Sequence, residues 1–244
     1  MKDILQDVVA KTHSLGFLNL VKVTGADTTT IESMAEDRSV ILTADTNAAV
    51  AEGTFGMPNL DKLALHLKNP EYQKDAKIDV VKAERNGETI PTHIHFENST
   101  GDFQNDYRFM NQQIIEEKLK SVKFKGANWD VKFNPSIASI ARMKLQSAAH
   151  SEEPTFNVKS VQTGDATDLV FSFGDASTHA GEFVFQHNIE GSLQHTWAWP
   201  VAQTQAILSL GGDITMSISD QGAMQITVDS GLATYNYILP AQSK

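Results

Sequence analysis

The 244-residue chain contains no cysteine. That removes any disulfide framework and any thiolate chemistry, and it fits an intracellular protein. No stretch approaches the ~18 uninterrupted apolar residues of a membrane-spanning helix. The opening residues Met1-Lys2-Asp3-Ile4-Leu5-Gln6 put an acid and an amide where a signal peptide needs its apolar core. The expected location is therefore cytoplasmic, or the host cytoplasm for a viral protein, with no membrane partner. Basic side chains are also scarce: 20 Lys and Arg stand against 30 Asp and Glu, a net charge of −10. Nucleic acid repels such a chain at long range, which disfavours a broad basic grip on DNA. A protein that used DNA without gripping it would escape that objection. Phosphate-cradling glycine loops, nucleophile elbows and helical zinc motifs are all absent.

What is present is a repeat. Met57-Pro58 leads into a leucine-rich stretch, Leu60 to Leu67, then a strand, an Asn86-Gly87 turn and another strand. Trp199-Pro200, 142 residues later, opens a similar stretch ending at Leu210, followed by a strand, a Gln221-Gly222 turn and more strands. Each half also begins with an amphipathic helix, Asp3 to His13 and Ser136 to Ala148. A repeat this long means two similar domains, because solenoid periods run only to about 50 residues. The boundaries expected are 1–110, a connector over 111–127, and 128–244.

The fold class read from these patterns is α+β, with four short helices on antiparallel sheets. Expected strands include Thr29–Met34, Lys77–Glu84, Glu88–Phe96, Phe103–Met110, Asn128–Phe133, Gly181–Asn188, Ala223–Asp229 and Leu232–Leu239. Asp213-Ile214-Thr215-Met216-Ser217-Ile218 alternates as a sheet with one covered face does. One helix face carries Ile4, Leu5, Val8, Val9 and Thr12, and the next carries Leu60, Leu63, Ala64 and Leu67. The third carries Ile137, Ile140, Ala141, Leu145 and Ala148, with Asn134 as its expected cap and Pro135 at its first position. Lys144 falls on that apolar side, so it would snorkel or the helix would end early. Val201 to Leu210 has no clear stripe. Pro70 to Lys77 has no counterpart in the second half and reads as an elongated surface loop.

Chemistry-bearing candidates are few. His93-Ile94-His95 places two imidazoles on one strand face, as two metal ligands would stand; with no third ligand indicated nearby, a solvated face is preferred. Glu116-Glu117 reads as solvated connector charge, and Asp165, Asp168 and Asp175 as turn chemistry. No catalytic residue, cofactor or metal site is expected.

Two tandem domains, each with two short helices and many antiparallel strands, in an acidic chain of this length, resemble the subunit of a trimeric DNA polymerase sliding clamp. The terminal Tyr235-Asn236-Tyr237-Ile238-Leu239-Pro240-Ala241 resembles the tyrosine–aliphatic–proline ending of the eukaryotic clamp, proliferating cell nuclear antigen. Asn128-Trp129-Asp130-Val131-Lys132-Phe133, followed by Ser139-Ile140-Ala141-Arg142, is similar to the start of the second domain in clamps of tailed bacteriophages.

The resemblance implies the DNA-clamp fold and a closed homotrimeric ring, joined head to tail at edges near Phe103–Met110 and Ser177–Glu182. It implies a processivity factor that encircles double-stranded DNA and tethers a replicative DNA polymerase, placed there by an ATP-dependent clamp loader. Lys62, His66, Arg142 and Gln146 would face the DNA. Tyr237, Ile238, Leu239 and Pro240, with Ile114 and Ile115 from the connector, would form a partner pocket. The alternatives are a β-rich structural protein of a virus particle and a β-sandwich ligand-binding module. Neither is expected to place helices at matching points in both halves.

Overall fold

The computed structural model describes all residues except 86, 121–123, 176, 178, 243 and 244. Asn86, half of the expected Asn-Gly turn, thus lies outside the described residues. The chain divides into two compact units, residues 1–123 with 230–235, and residues 124–229 with 236–244. Most of the stretch expected as a connector is counted within the first unit.

The first unit runs α1 (Lys2–Lys11), β1 (Val21–Gly25), β2 (Thr29–Met34), β3 (Ile41–Thr46), β4 (Gly53–Met57), α2 (Leu60–Lys68), β5 (Lys77–Arg85), β6 (Glu88–Glu97), β7 (Gln104–Arg108) and α3 (Gln112–Lys118). The second runs β8 (Val131–Phe133), α4 (Ile137–Ala149), β9 (Thr155–Thr163), β10 (Ala166–Phe173), β11 (Gly181–Gln186), β12 (Trp197–Pro200), α5 (Val201–Leu208), β13 (Asp213–Ser219), β14 (Ala223–Asp229) and β15 (Ala233–Pro240). The repeat read from the prolines is a repeat of topology. Four strands follow the first helix in the order β4-β1-β2-β3 in one unit and β12-β9-β10-β11 in the other. Three strands follow the second helix, β5-β6-β7 and β13-β14-β15, with β8 on the far side of β13. Residues 233–235 open β15 within the first unit, and the remainder of the strand belongs to the second.

In the first unit, α1 buries Ile4, Leu5, Val8 and Val9, and α2 buries Leu60, Leu63 and Leu67, as their periodicity requires. The Pro70–Lys77 segment is more than a surface loop. A 3-10 turn over Pro70–Tyr72 drives the Tyr72 ring into the core, 5.3 Å from Phe96 between centroids, and its hydroxyl accepts from Asn105 at 2.7 Å. The second unit packs an aromatic cluster: Phe171 stacks on Phe185 at 4.1 Å and lies 4.8 Å from Phe156. Such pairs contribute about 0.5–1.5 kcal/mol each beyond their buried area.

Three expectations are corrected. The stretch expected as a connector carries a helix beyond the four expected: α3 forms there, its first turn capped by the Asn111 side chain, which accepts from Ile114 N at 2.9 Å. Second, α4 is capped by Ser136, which accepts from Ser139 N at 3.0 Å, and not by Asn134. Third, α4 is turned over. Ser139 and Met143 are its buried residues, while Ile137 is 89% and Leu145 71% exposed and Ala141 and Ala148 also face outward. Lys144 is exposed and the helix continues to Ala149, so neither snorkelling nor early termination occurs. The polar side packs because α4 comes very close to β11: a Cβ on Gly181 would stand 2.6 Å from the His150 ring. His150 in turn stacks on Phe173 at 5.8 Å.

In the first unit, Asp7 on α1 accepts from the hydroxyls of Ser230 at 2.6 Å and Tyr235 at 2.9 Å. Hydrogen bonds to a charged acceptor contribute about 1.5–3 kcal/mol net. Asp7→Ala should therefore cost about 2 kcal/mol and lower the melting temperature by several degrees. An unchanged melt would show that the residue 230–235 segment is held by its strand pairing alone.

Candidate functional site

The residues expected to face DNA separate into two pairs. Lys62 on α2 and Arg142 on α4 are exposed. His66 leans inward: it is half-buried, 5.1 Å from the Phe96 ring, and burial holds its imidazole below the ordinary histidine pKa. Gln146 is half-buried too, its side-chain oxygen turned to Gly181 on β11. Lys144, which the helical wheel sets on the apolar side, is exposed on the same helix as Arg142.

The expected partner-pocket residues also divide. In the second unit, Tyr237, Ile238 and Leu239 are buried and only Pro240 is exposed. Leu239 is expected to line an accessible pocket. Instead it is core, and its carbonyl accepts from the Trp199 indole N–H at 3.0 Å. The backbone continues the pairing beyond it, with Ala241 N donating to Gly222 O at 2.8 Å and Gln242 N to Ala198 O at 2.9 Å. In the first unit, Ile115 is fully buried and Ile114 is 43% exposed. Ile115 seats α3 on β4, against Gly56, where any Cβ would meet its side chain at 2.9 Å. Glu116 and Glu117 are exposed, as solvated charge should be.

The expectation that His93 and His95 have no third ligand nearby is overturned. Pairing of β6 with β7 sets Asp106 opposite His95, and the donor atoms of His93, His95 and Asp106 lie within 4.8 Å of one another. Asp106 Oδ1 is 2.8 Å from His95 Nδ1 and 3.5 Å from His93 Nε2. The hydrogen bond to His95 holds the Asp106 carboxyl below its ordinary pKa against the opposing effect of burial. Burial lowers the pKa of His93, opposed by the Asp106 charge. Other histidines pair singly, His195 with Asp220 at 2.9 Å and His187 with Asp168 at 3.3 Å.

The burial of Leu239 gives a direct test. Leu239→Ala should destabilise the fold by about 2–5 kcal/mol in denaturant unfolding, as core truncations do. Pro240→Ser, at an exposed position, should stay within about 0.5 kcal/mol. Equal, small effects would place Leu239 outside the core.

No protein-family model matches the chain, and no curated protein matches it in sequence. Solved structures do match in fold. PCNA of A. fulgidus, bound to the C-terminal region of FEN-1, superposes with a TM-score of 0.66 at 11% identity, over 100% of this chain and 95% of that one. PCNA of Thermococcus kodakaraensis gives 0.67 at 10% identity, over 99% and 97%. Proliferating Cellular Nuclear Antigen of Entamoeba histolytica gives 0.65 at 11%, over 99% and 94%. From end to end, with few helices on antiparallel sheets, this chain has the PCNA-like sliding-clamp fold.

Proposed function

We propose that the chain is a sliding clamp. Three copies close head to tail around double-stranded DNA and tether a replicative DNA polymerase, after an ATP-dependent clamp loader has opened the ring. The observation that carries this reading is a pair of open strand edges in matching places. In the repeated topology β7 corresponds to β15, and β11 to β3. β7 and β11 each end their sheets among the described residues. Pairing β7 of one copy with β11 of the next would continue the two sheets into one. Such heterologous contacts close into a ring when the rotation allows.

The exposed apolar side chains support the same contact. α4 packs beside β11 and presents Ile137 and Leu145 outward; α2 packs beside β7 and presents Leu65, 69% exposed. Open edges flanked by apolar side chains are aggregation-prone unless a partner covers them. Helices at matching points in both units favour a clamp over a structural virion protein or a β-sandwich binding module.

Lys62, Arg142 and Lys144 supply a few positive charges in a chain of net charge −10. A few phosphate contacts give weak, sequence-independent attraction, and encirclement supplies retention. The A. fulgidus clamp holds the C-terminal region of FEN-1; partner peptides of the polymerase and loader would bind this chain at Pro240 of the second unit, backed by Tyr237, Ile238 and Leu239. The chain itself catalyses nothing and works in the cytoplasm of the cell or host.

Light scattering at micromolar concentration should give about three times 26.7 kDa, and Leu145→Asp should give a folded monomer. A parent protein that stays monomeric defeats the ring. Once loaded, the clamp should persist on closed circular DNA and run off when the circle is cut, with feeble binding to linear duplex beforehand. Lys62→Glu with Arg142→Glu should impair loading without dissociating the trimer. Equal retention before and after cutting defeats encirclement.

A further inference from the structure

We infer that His93, His95 and Asp106 form a zinc site on the three-stranded sheet of the first unit. Alternation along β6 puts His93 and His95 on one face. The β6–β7 register brings Asp106 opposite His95. The three donors come from rigid antiparallel strands, which hold them in place before any ion arrives.

The spacing suits a tetrahedral ion. With metal–ligand bonds of about 2.0–2.2 Å, neighbouring donors stand about 3.3 Å apart. Here Asp106 Oδ1 is 2.8 Å from His95 Nδ1 and 3.5 Å from His93 Nε2, so shifts well below 1 Å at these two pairs bring them to that spacing. Two imidazoles and a carboxylate form a donor set suited to zinc, and also to cobalt, nickel and copper.

The hydrogen bonding points the same way. The Thr92 hydroxyl stands 3.0 Å from the Val81 carbonyl and 2.9 Å from His93 Nδ1. Nδ1 of His93 is thus engaged on its far side, and Nε2 is the nitrogen turned to the Asp106 carboxylate, at 3.5 Å. For His95, which would ligate through Nδ1, the other ring nitrogen lies 3.7 Å from Glu97 Oε2. A carboxylate behind a ligating imidazole is the usual outer support of a zinc site. Arg108 opposes the ion, with one nitrogen 3.3 Å from Asp106 Oδ2 and another 3.3 Å from His93 Nδ1. Its side chain is 69% exposed and free to swing into solvent. Three protein ligands leave the fourth position to water or to an incoming donor.

The site lies wholly in the first unit and does not depend on the proposed ring. Chelator-treated protein should be titrated with Zn²⁺ against a chromophoric chelator. One zinc per chain is expected, with micromolar or tighter affinity, weakened at least tenfold by His95→Gln and by Asp106→Asn but not by His195→Gln. Co²⁺ in its place should give the intense visible bands of a four-coordinate ion, lost in the same two variants. Circular dichroism would confirm that the variants are folded. Absence of stoichiometric zinc overturns the site. So does binding that survives both substitutions, or binding that His195→Gln weakens equally.

Discussion

No α-helix among the described residues is long enough to stand alone. They run from 7 to 13 residues, at or below the ~12–15 at which an isolated helix becomes marginal in water. Each must therefore lie on another element, and that requirement sets the layering of both units. α1 and α2 meet it conventionally, through Leu5, Val8, Leu63 and Leu67. α3 meets it with the single buried side chain of Ile115, possible only because Gly56 leaves room. α4 meets it with Ser139 and Met143 pressed close to β11, leaving its aliphatic residues outside.

The two units also solve one mechanical problem with opposite chemistry. Each must tie the start of its second helix to the last strand of its repeat. In the first unit the Tyr107 hydroxyl, on β7, donates to the carbonyl of Pro58, just before α2. In the second the donor lies ahead of the helix: the Trp199 indole, just before α5, gives its proton to the Leu239 carbonyl on β15. Both tie residues are buried, where a polar group left without its partner costs about 1–3 kcal/mol.

Much of this was legible in the sequence, for identifiable reasons. Strand alternation and turn residues carried the sheets: β2 and β14 begin and end where periodicity put them, and the proline-led helices start within two residues of Pro58 and Pro200. The inward side of α4 was not legible, because a helical wheel assumes that the widest apolar stripe faces its own core. Ile137 and Leu145 break that assumption. The burial of Leu239 was not legible either, because pairing continues past the strand end through Ala241 and Gln242. The His93–His95 pair could be read from spacing. Asp106 could not, since its place opposite His95 depends on cross-strand register set by the chain between β6 and β7.

The membership of residues 230–235 in the first unit bears on how the protein is born. Asp7 is synthesised well before its partners Ser230 and Tyr235, which lie 223 and 228 positions downstream. A domain at the start of a chain ordinarily folds while the remainder is still emerging. Here α1 waits for hydroxyls made more than 220 residues later, and closing so long a loop slows the final step. The first unit is therefore begun long before it can be finished.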